Sequence, residues 1–186
     1  LLDHNKRVVV LDVGASPTRP RLLMTAEELA LVSFVQGDIS DLTAVERVIS
    51  EYGVTHIIHL AALQVPFCKA DPALGARVNV VGTVNVLEAA RRSGGQVRAT
   101  AYASSIAVFG PPEDYPAGPL TASARLEPTT LYGVYKQANE ATARVYWQDW
   151  QVPSIGLRPA VIYGVDYMPS CRLRARLRSQ VATGEV

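Results

Sequence analysis

The sequence has little of what would mark a secreted, metal-binding or membrane protein. Cysteine occurs twice in 186 residues, at Cys68 and Cys171, far apart and outside any Cys-x-x-Cys or Cys/His grouping. Neither a disulfide framework nor a zinc or other metal site is expected, and a reducing, cytoplasmic setting is. No apolar run reaches the roughly 18 residues that span a bilayer, and the opening "LLDHNKR" lacks the layout of a signal peptide, so neither membrane insertion nor export is expected. Charge of one sign is scarce as well: 18 Lys and Arg oppose 17 Asp and Glu, a net of +1, which points away from nucleic acid as a partner. There is no internal repeat and no low-complexity tract. His56 and His59 have no metal-ligand or nucleophile partner spaced for them and read as packed strand residues.

What is present is a soluble, globular composition, 48% hydrophobic and 19% charged, in a chain of one domain's length. A domain of this size buries roughly 70% of its unfolded surface, so a sizeable core is possible. Short β-branched runs at 7–12, 33–36, 55–60, 98–104 and 154–158 read as strands, several apolar enough to be buried on both faces. Helical spacing fills 41–52, 73–93 and 130–150, with Asp41 placed to cap the first and Asp71-Pro72 to open the second. Strand and helix alternating in this way predict a parallel sheet covered by helices on both faces, the α/β class. The segment 110–128, rich in proline and glycine, reads as a long functional loop.

In such sheets ligands bind at the carboxyl ends of strands, and several chemical candidates fall there. Asp12 ends the first strand, where a carboxylate can accept both hydroxyls of an adenosine ribose and repel a 2′-phosphate, favouring NAD over NADP; alone it could equally cap a turn. Asp38 follows the second strand, where it could meet an adenine amino group or shape a turn. Ser104 and Ser105 follow the fourth. In "PTTLYGVYKQANE" (128–140), Tyr132 and Lys136 lie four apart on one helix face. An ammonium beside a phenol favours the phenolate and suits Tyr132 to proton transfer, although the same spacing also arises from packing alone.

The pieces "VVVLD", "GDISD", "IIHLAA", "NVVGTVNVLEAA", "YASSIAVFG", "YGVYK" and "LRPAVIYG", in this order between residues 7 and 164, resemble the extended short-chain dehydrogenase/reductase family, the NAD-dependent epimerases and dehydratases. The resemblance implies a Rossmann-like, doubly wound parallel sheet over 1–164. It also implies an NAD-dependent oxidoreductase or epimerase acting on a sugar nucleotide or sugar acid. In the implied site Tyr132 is the general acid/base, Lys136 holds the nicotinamide ribose and supports the phenolate, and Ser105, five residues before Gly110, positions the reacting oxygen. Tyr135 is the decoy, its i+4 neighbour being Asn139. Cofactor contacts carried over by position are Asp12, Asp38, Ile39, Leu60, Ala61, Ala62, Gln64, Asn79 and Pro159, and a homodimer through the helices at 73–93 and 130–150 is implied.

Two parts of the family pattern are lacking. The sequence opens at what resembles the end of the family's first helix, so the first strand and its GxxGxxG turn, which hold the pyrophosphate, are expected to be missing. The strands at 7–12 and 55–60 are then expected to pair directly or to receive a strand from elsewhere, because unpaired buried backbone is costly. At the other end, residues 165–186 form a divergent basic tail with arginines at 172, 174, 176 and 178, read as a solvated face rather than an anion site. With the phosphate cradle lacking, the alternative is a catalytically inactive Rossmann-like fragment serving as an interaction or structural module.

Overall fold

A computed structural model of the chain describes residues 1–162 apart from 15, 16 and 19. The basic tail at 165–186 lies outside the described residues. Among the described residues five strands form: β1 Val8–Asp12, β2 Val32–Gln36, β3 His56–His59, β4 Ala99–Ala103 and β5 Ser154–Leu157. All their pairings are parallel, β1 with β2 and β4 with both β3 and β5. The helices are α1 Ala26–Ala30, α2 Leu42–Tyr52, α3 Val65–Ala70, α4 Pro72–Ala76, α5 Gly82–Arg92 and α6 Leu131–Trp150.

The helix ends are set locally. The Asp41 carboxylate accepts from the amides of Thr43 and Ala44 to start α2, which stops at Gly53 in the left-handed region (φ 62°). Asp71 opens α4 by accepting from Leu74, and Thr130 opens α6 by accepting from Gly133. Helix α1, not expected from periodicity, begins with a capping box in which Thr25 and Glu28 bond each other's backbone. The helix expected over 73–93 is interrupted by a π-helical turn at Arg77–Val81 between α4 and α5. The extra residue in that turn rotates Asn79 toward the end of β3, where it is used.

The apolar faces of α2, α5 and α6 meet over one side of the strands. Val45 and Ile49 of α2, Leu87, Ala89 and Ala90 of α5, and Ala143 and Tyr146 of α6 cluster with Tyr102 of β4, and Leu11 and Ile57 pack against them. The opposite side is not covered among the described residues. Ile58, Ile155 and Leu157, which alternate with the inward positions, are 58%, 60% and 57% exposed. The α/β class and the parallel order therefore hold, while the expected cover on both faces is found on one.

The strands do not close up either. They form two sheets, β1-β2 and β3-β4-β5. The Asp12 carbonyl accepts from the Gly37 amide (2.9 Å) and the Thr55 carbonyl from the Arg98 amide (2.8 Å). By the alternation of a parallel ladder, Val9 and Leu11 of β1 and His56 and Ile58 of β3 then turn their backbone groups away from their partners. Both edges line a cavity of about 560 Å³, and no described segment enters it. Direct pairing of β1 with β3, expected from the sequence, is thus overturned. Its premise was burial, whereas His56 and Ile58 are exposed and Val9 and Leu11 only half-buried, so water can satisfy these groups. The shared helical layer also opposes closure: Leu11 and Ile57 dock on the same cluster at a fixed spacing, and drawing them together would uncover it.

Candidate functional site

Because the strands within each sheet run the same way, Asp12 and Asp38 emerge at the carboxyl end of β1-β2, and Leu60, Ser105 and Pro159 at the carboxyl end of β3-β4-β5. Around the end of β4 the packing is close. A Cβ at Gly133 would collide with the Ala107 carbonyl oxygen, so glycine lets the start of α6 lie against the backbone just after Ser105. One turn further on, the Lys136 ammonium donates to the Ala103 carbonyl at 2.7 Å and lies 5.6 Å from the centroid of the Tyr132 ring. Lys136 is 3% exposed. Burial pushes its ammonium down to about 8, with the Cys68 sulfur acting in the opposite direction. Tyr132 is half-buried, as is Ser105, whose hydroxyl accepts from the Ala107 amide at 3.1 Å. Ser105, Tyr132 and Lys136 thus gather at the carboxyl end of β4. Ser104 points elsewhere, fully buried, its hydroxyl donating to Glu140. Tyr135 donates to the Pro72 carbonyl (2.9 Å), a packing role.

The candidate cofactor residues fall into two groups on either side of the cavity. On one side, Asp12 is exposed and accepts from the Gly14 amide (2.7 Å), while Asp38 accepts from the Ser40 amide (2.8 Å), each as a turn aspartate. Ile39 is half-buried, leaning on Gly82 and on the core. On the other side, Leu60, Ala61, Ala62 and Gln64 follow β3, with Gln64 opening α3. Asn79, 1% exposed, grips this turn twice: its Oδ1 accepts from the Leu63 amide (2.7 Å) and its Nδ2 donates to the Leu63 carbonyl (2.9 Å). Pro159 accepts from the Ile106 amide (3.1 Å), tying the end of β5 to the turn after Ser105.

His59 sits nearby and is buried. The Thr83 hydroxyl donates to the Asn79 carbonyl (2.8 Å), so its oxygen is left to accept from His59 Nε2 at 3.0 Å. Burial, reinforced by the Lys136 charge, lowers the imidazole to about 4. A neutral, donating His59 fits the packed role read from the sequence. Sequence reasoning missed Glu140 and Arg158. The Arg158 guanidinium grips Glu140 with both Nε (2.8 Å) and Nη2 (2.6 Å), and its Nη1 donates to the Ala122 carbonyl (2.9 Å). Burial would raise the Glu140 carboxyl, but the Arg158 fork and the Ser104 hydroxyl outweigh it and hold it below the usual range. The signal was there: Glu140 follows Lys136 by one helical turn, and Arg158 lies within "LRPAVIYG". The loop 110–128 borders a cavity of about 1330 Å³ that also touches Glu140, Arg144 and Arg158. Among the described residues no group of acidic, histidine or cysteine side chains could hold a metal ion, and no helix is long and apolar enough to cross a membrane.

Comparison with known proteins gives consistent relatives. The sequence pattern of the NAD dependent epimerase/dehydratase family matches residues 1–185. The chain is 36% identical over 168 residues to a UDP-glucose 4-epimerase of Mycolicibacterium smegmatis, covering 88% of this chain and 51% of that protein. Among solved structures, the Thermus thermophilus UDP-glucose 4-epimerase in complex with NAD superposes with a TM-score of 0.76 at 28% identity, over 98% of this chain and 57% of that one. The holo form of an L-threonine dehydrogenase from Cupriavidus necator superposes with a TM-score of 0.71 at 28% identity, over 84% and 47%. The chain spans about half the length of these relatives.

Proposed function

Because the chain belongs to the NAD-dependent epimerase/dehydratase family, we propose that it carries the proton-transfer centre of an NAD-dependent enzyme that oxidises or epimerises a hydroxyl-bearing carbon of a sugar nucleotide. The observation that carries this reading is the Lys136 ammonium, buried on the Ala103 carbonyl and facing the Tyr132 ring beside Ser105. The sugar-nucleotide class is supported by the curated relative at 36% identity, a UDP-glucose 4-epimerase.

Bound NAD would supply the hydride acceptor. The residues fit its two ends. Asp12 offers a free carboxylate face to the adenosine ribose hydroxyls, and Lys136, with the Asn79-held turn at 60–63, would hold the nicotinamide end. The middle is different. Where the pyrophosphate would cross, the described residues offer a cavity between β1 and β3 rather than a cradle of backbone amides. At the reacting carbon, Ser105 donates a hydrogen bond to the substrate oxygen and Tyr132 takes or returns the proton on it. Lys136 keeps a positive charge near the phenol, which favours its ionised form.

We also propose a homodimer through α4–α5 and α6, whose outer faces expose Leu74, Val81, Leu131, Val134 and Val145. The buried Cys68 thiol accords with a reducing, cytoplasmic setting. Calorimetric titration with NAD and NADP tests the cofactor reading: weak NAD binding and weaker NADP binding are expected of this chain. A preference for NADP would remove the role given to Asp12. Tyr132→Phe should abolish most turnover on a UDP-sugar while leaving NAD binding nearly intact. NAD binding and turnover both undetectable, together with unaltered binding of a protein partner, would favour the inactive module.

A further inference from the structure

Glu140 is a half-buried charge with no part in the reaction just described, and its surroundings connect elements that must stay aligned for that reaction. On α6 the residues Tyr132, Lys136 and Glu140 are spaced four apart and so lie along one face. Lys136 holds the Ala103 carbonyl and Glu140 holds the Ser104 hydroxyl, so two successive turns of α6 grip two successive residues of the chain leading into Ser105. From Glu140 the connection continues outward. Arg158 forks onto its carboxylate, donates to Ala122 in the middle of the loop, and stands 5.0 Å from the Phe109 ring centroid. Phe109 meets Tyr115 edge-on at 6.1 Å. The Tyr115 hydroxyl accepts from the Gly110 amide (2.8 Å) and donates to the Arg125 carbonyl (2.9 Å), pinning both limbs of the loop.

We propose that Glu140 is a positioning residue: clamped by Arg158 and bonded to Ser104, it fixes the end of β4, the face of α6 and the 110–128 loop in one register. This rests on the reading of Ser105, Tyr132 and Lys136 as reacting groups. The chemistry suits the task. A bidentate guanidinium–carboxylate pair fixes angle as well as distance, and a serine donating to the same carboxylate adds a third fixed direction. Loss of the carboxylate leaves the Arg158 charge half-buried and the Ser104 hydroxyl fully buried, both without this partner, which favours rearrangement at that spot over uniform weakening.

The test uses the chain as it is, with Glu140→Ala, Glu140→Gln and Arg158→Lys. The first measurement is amide hydrogen exchange, comparing Ala107, Gly110 and Ala124 with amides of α2, which report general stability. In Glu140→Ala the loop amides should exchange about tenfold faster or more relative to α2. Glu140→Gln, which keeps an acceptor for Ser104, should recover part of that protection. Arg158→Lys, which loses the fork and the Ala122 bond, should resemble Glu140→Ala in the loop. The second measurement is the titration of Lys136 by NMR with labelled lysine. Removing a neighbouring negative charge can only lower an ammonium pKa. A rise in Glu140→Ala therefore reports that α6 has drawn away from Ala103 and let water reach the ammonium. Exchange that accelerates uniformly across the chain, with Lys136 titrating unchanged or lower, would overturn the proposal and leave Glu140 as an ordinary structural ion pair. If NAD or UDP-sugar chemistry fails altogether, the catalytic reading falls, and loop exchange still decides the role of Glu140.

Discussion

Replacing Lys136 by methionine gives the sharpest test of whether a buried ammonium is built into the site at a cost to stability. Lys136 is 3% exposed, and burial takes its pKa from 10.5 to about 8. The folded-state pKa lies below the unfolded one. The unfolded chain therefore binds more protons between about pH 8 and 10.5, and stability must rise with pH across that window. Below about pH 8 the full cost is present, about 3 kcal/mol at about 1.4 kcal/mol per pH unit. By about pH 10 most of it is relieved. Methionine matches the stem and carries no charge, so Lys136→Met removes the cost together with the bond to Ala103, itself worth about 1.5–3 kcal/mol. Near neutrality the two nearly cancel. The discriminating quantity is the difference between the proteins: wild type should gain about 2.5 kcal/mol on Lys136→Met between about pH 7 and pH 10, the part of the linkage cost relieved in that interval. Urea denaturation of both proteins at the two pH values measures it. Parallel pH curves, or a gap that moves in favour of the variant, would refute the reasoning.

Three further outcomes are expected. Gly133→Ala should destabilise by about 2 kcal/mol or more, because the added methyl meets the Ala107 carbonyl and must push α6 from the end of β4; circular dichroism melting checks it. Asn79→Ala should cost about 2–4 kcal/mol and speed exchange of the Leu63 amide, with Asn79→Asp worse because a carboxylate oxygen would then face the Leu63 carbonyl. In sedimentation at micromolar concentration the chain should run as a dimer and Val134→Glu as a monomer; a wild-type monomer would sink the proposed interface.

Much of this architecture was legible in the sequence where local chemistry decides it. A run such as "VVVLD", dense in β-branched residues, has few alternatives to a strand, and Asp41 and Asp71 start helices by bonding amides within reach. What was not legible depends on neighbours distant along the chain. The π-helical turn escaped notice because 73–93 keeps a helical pattern throughout, and its reason is the Asn79 grip on Leu63, 16 residues away. The gap between β1 and β3 goes with the docking of Leu11 and Ile57 on one cluster built from α2, α5 and α6, a set of contacts that neither strand reveals on its own. Glu140 and Arg158 stand 18 residues apart, so neither predicts the other until α6 and β5 are placed side by side. The choice of Ser105 over Ser104 rested on spacing to Gly110, and the buried Ser104–Glu140 bond now supplies a physical argument for it.

The open edges of β1 and β3 also bear on how the chain behaves in the test tube. Strands that natively face water are usually guarded by lysine, proline or a bulge that discourages other strands from adding on. Neither "VVVL" at 8–11 nor "HIIH" at 56–59 has such a guard, and neither contains a proline. Apart from Asp12 at the very end of β1, neither edge carries an acidic side chain, a lysine or an arginine, and each is rich in β-branched residues, a composition that favours intermolecular pairing. Preparations of this chain should therefore lose solubility as concentration rises, forming assemblies richer in sheet than the monomer. A short apolar peptide that caps either edge should keep the protein in solution, acting as a chaperone does, by occupying the surface on which aggregation would start.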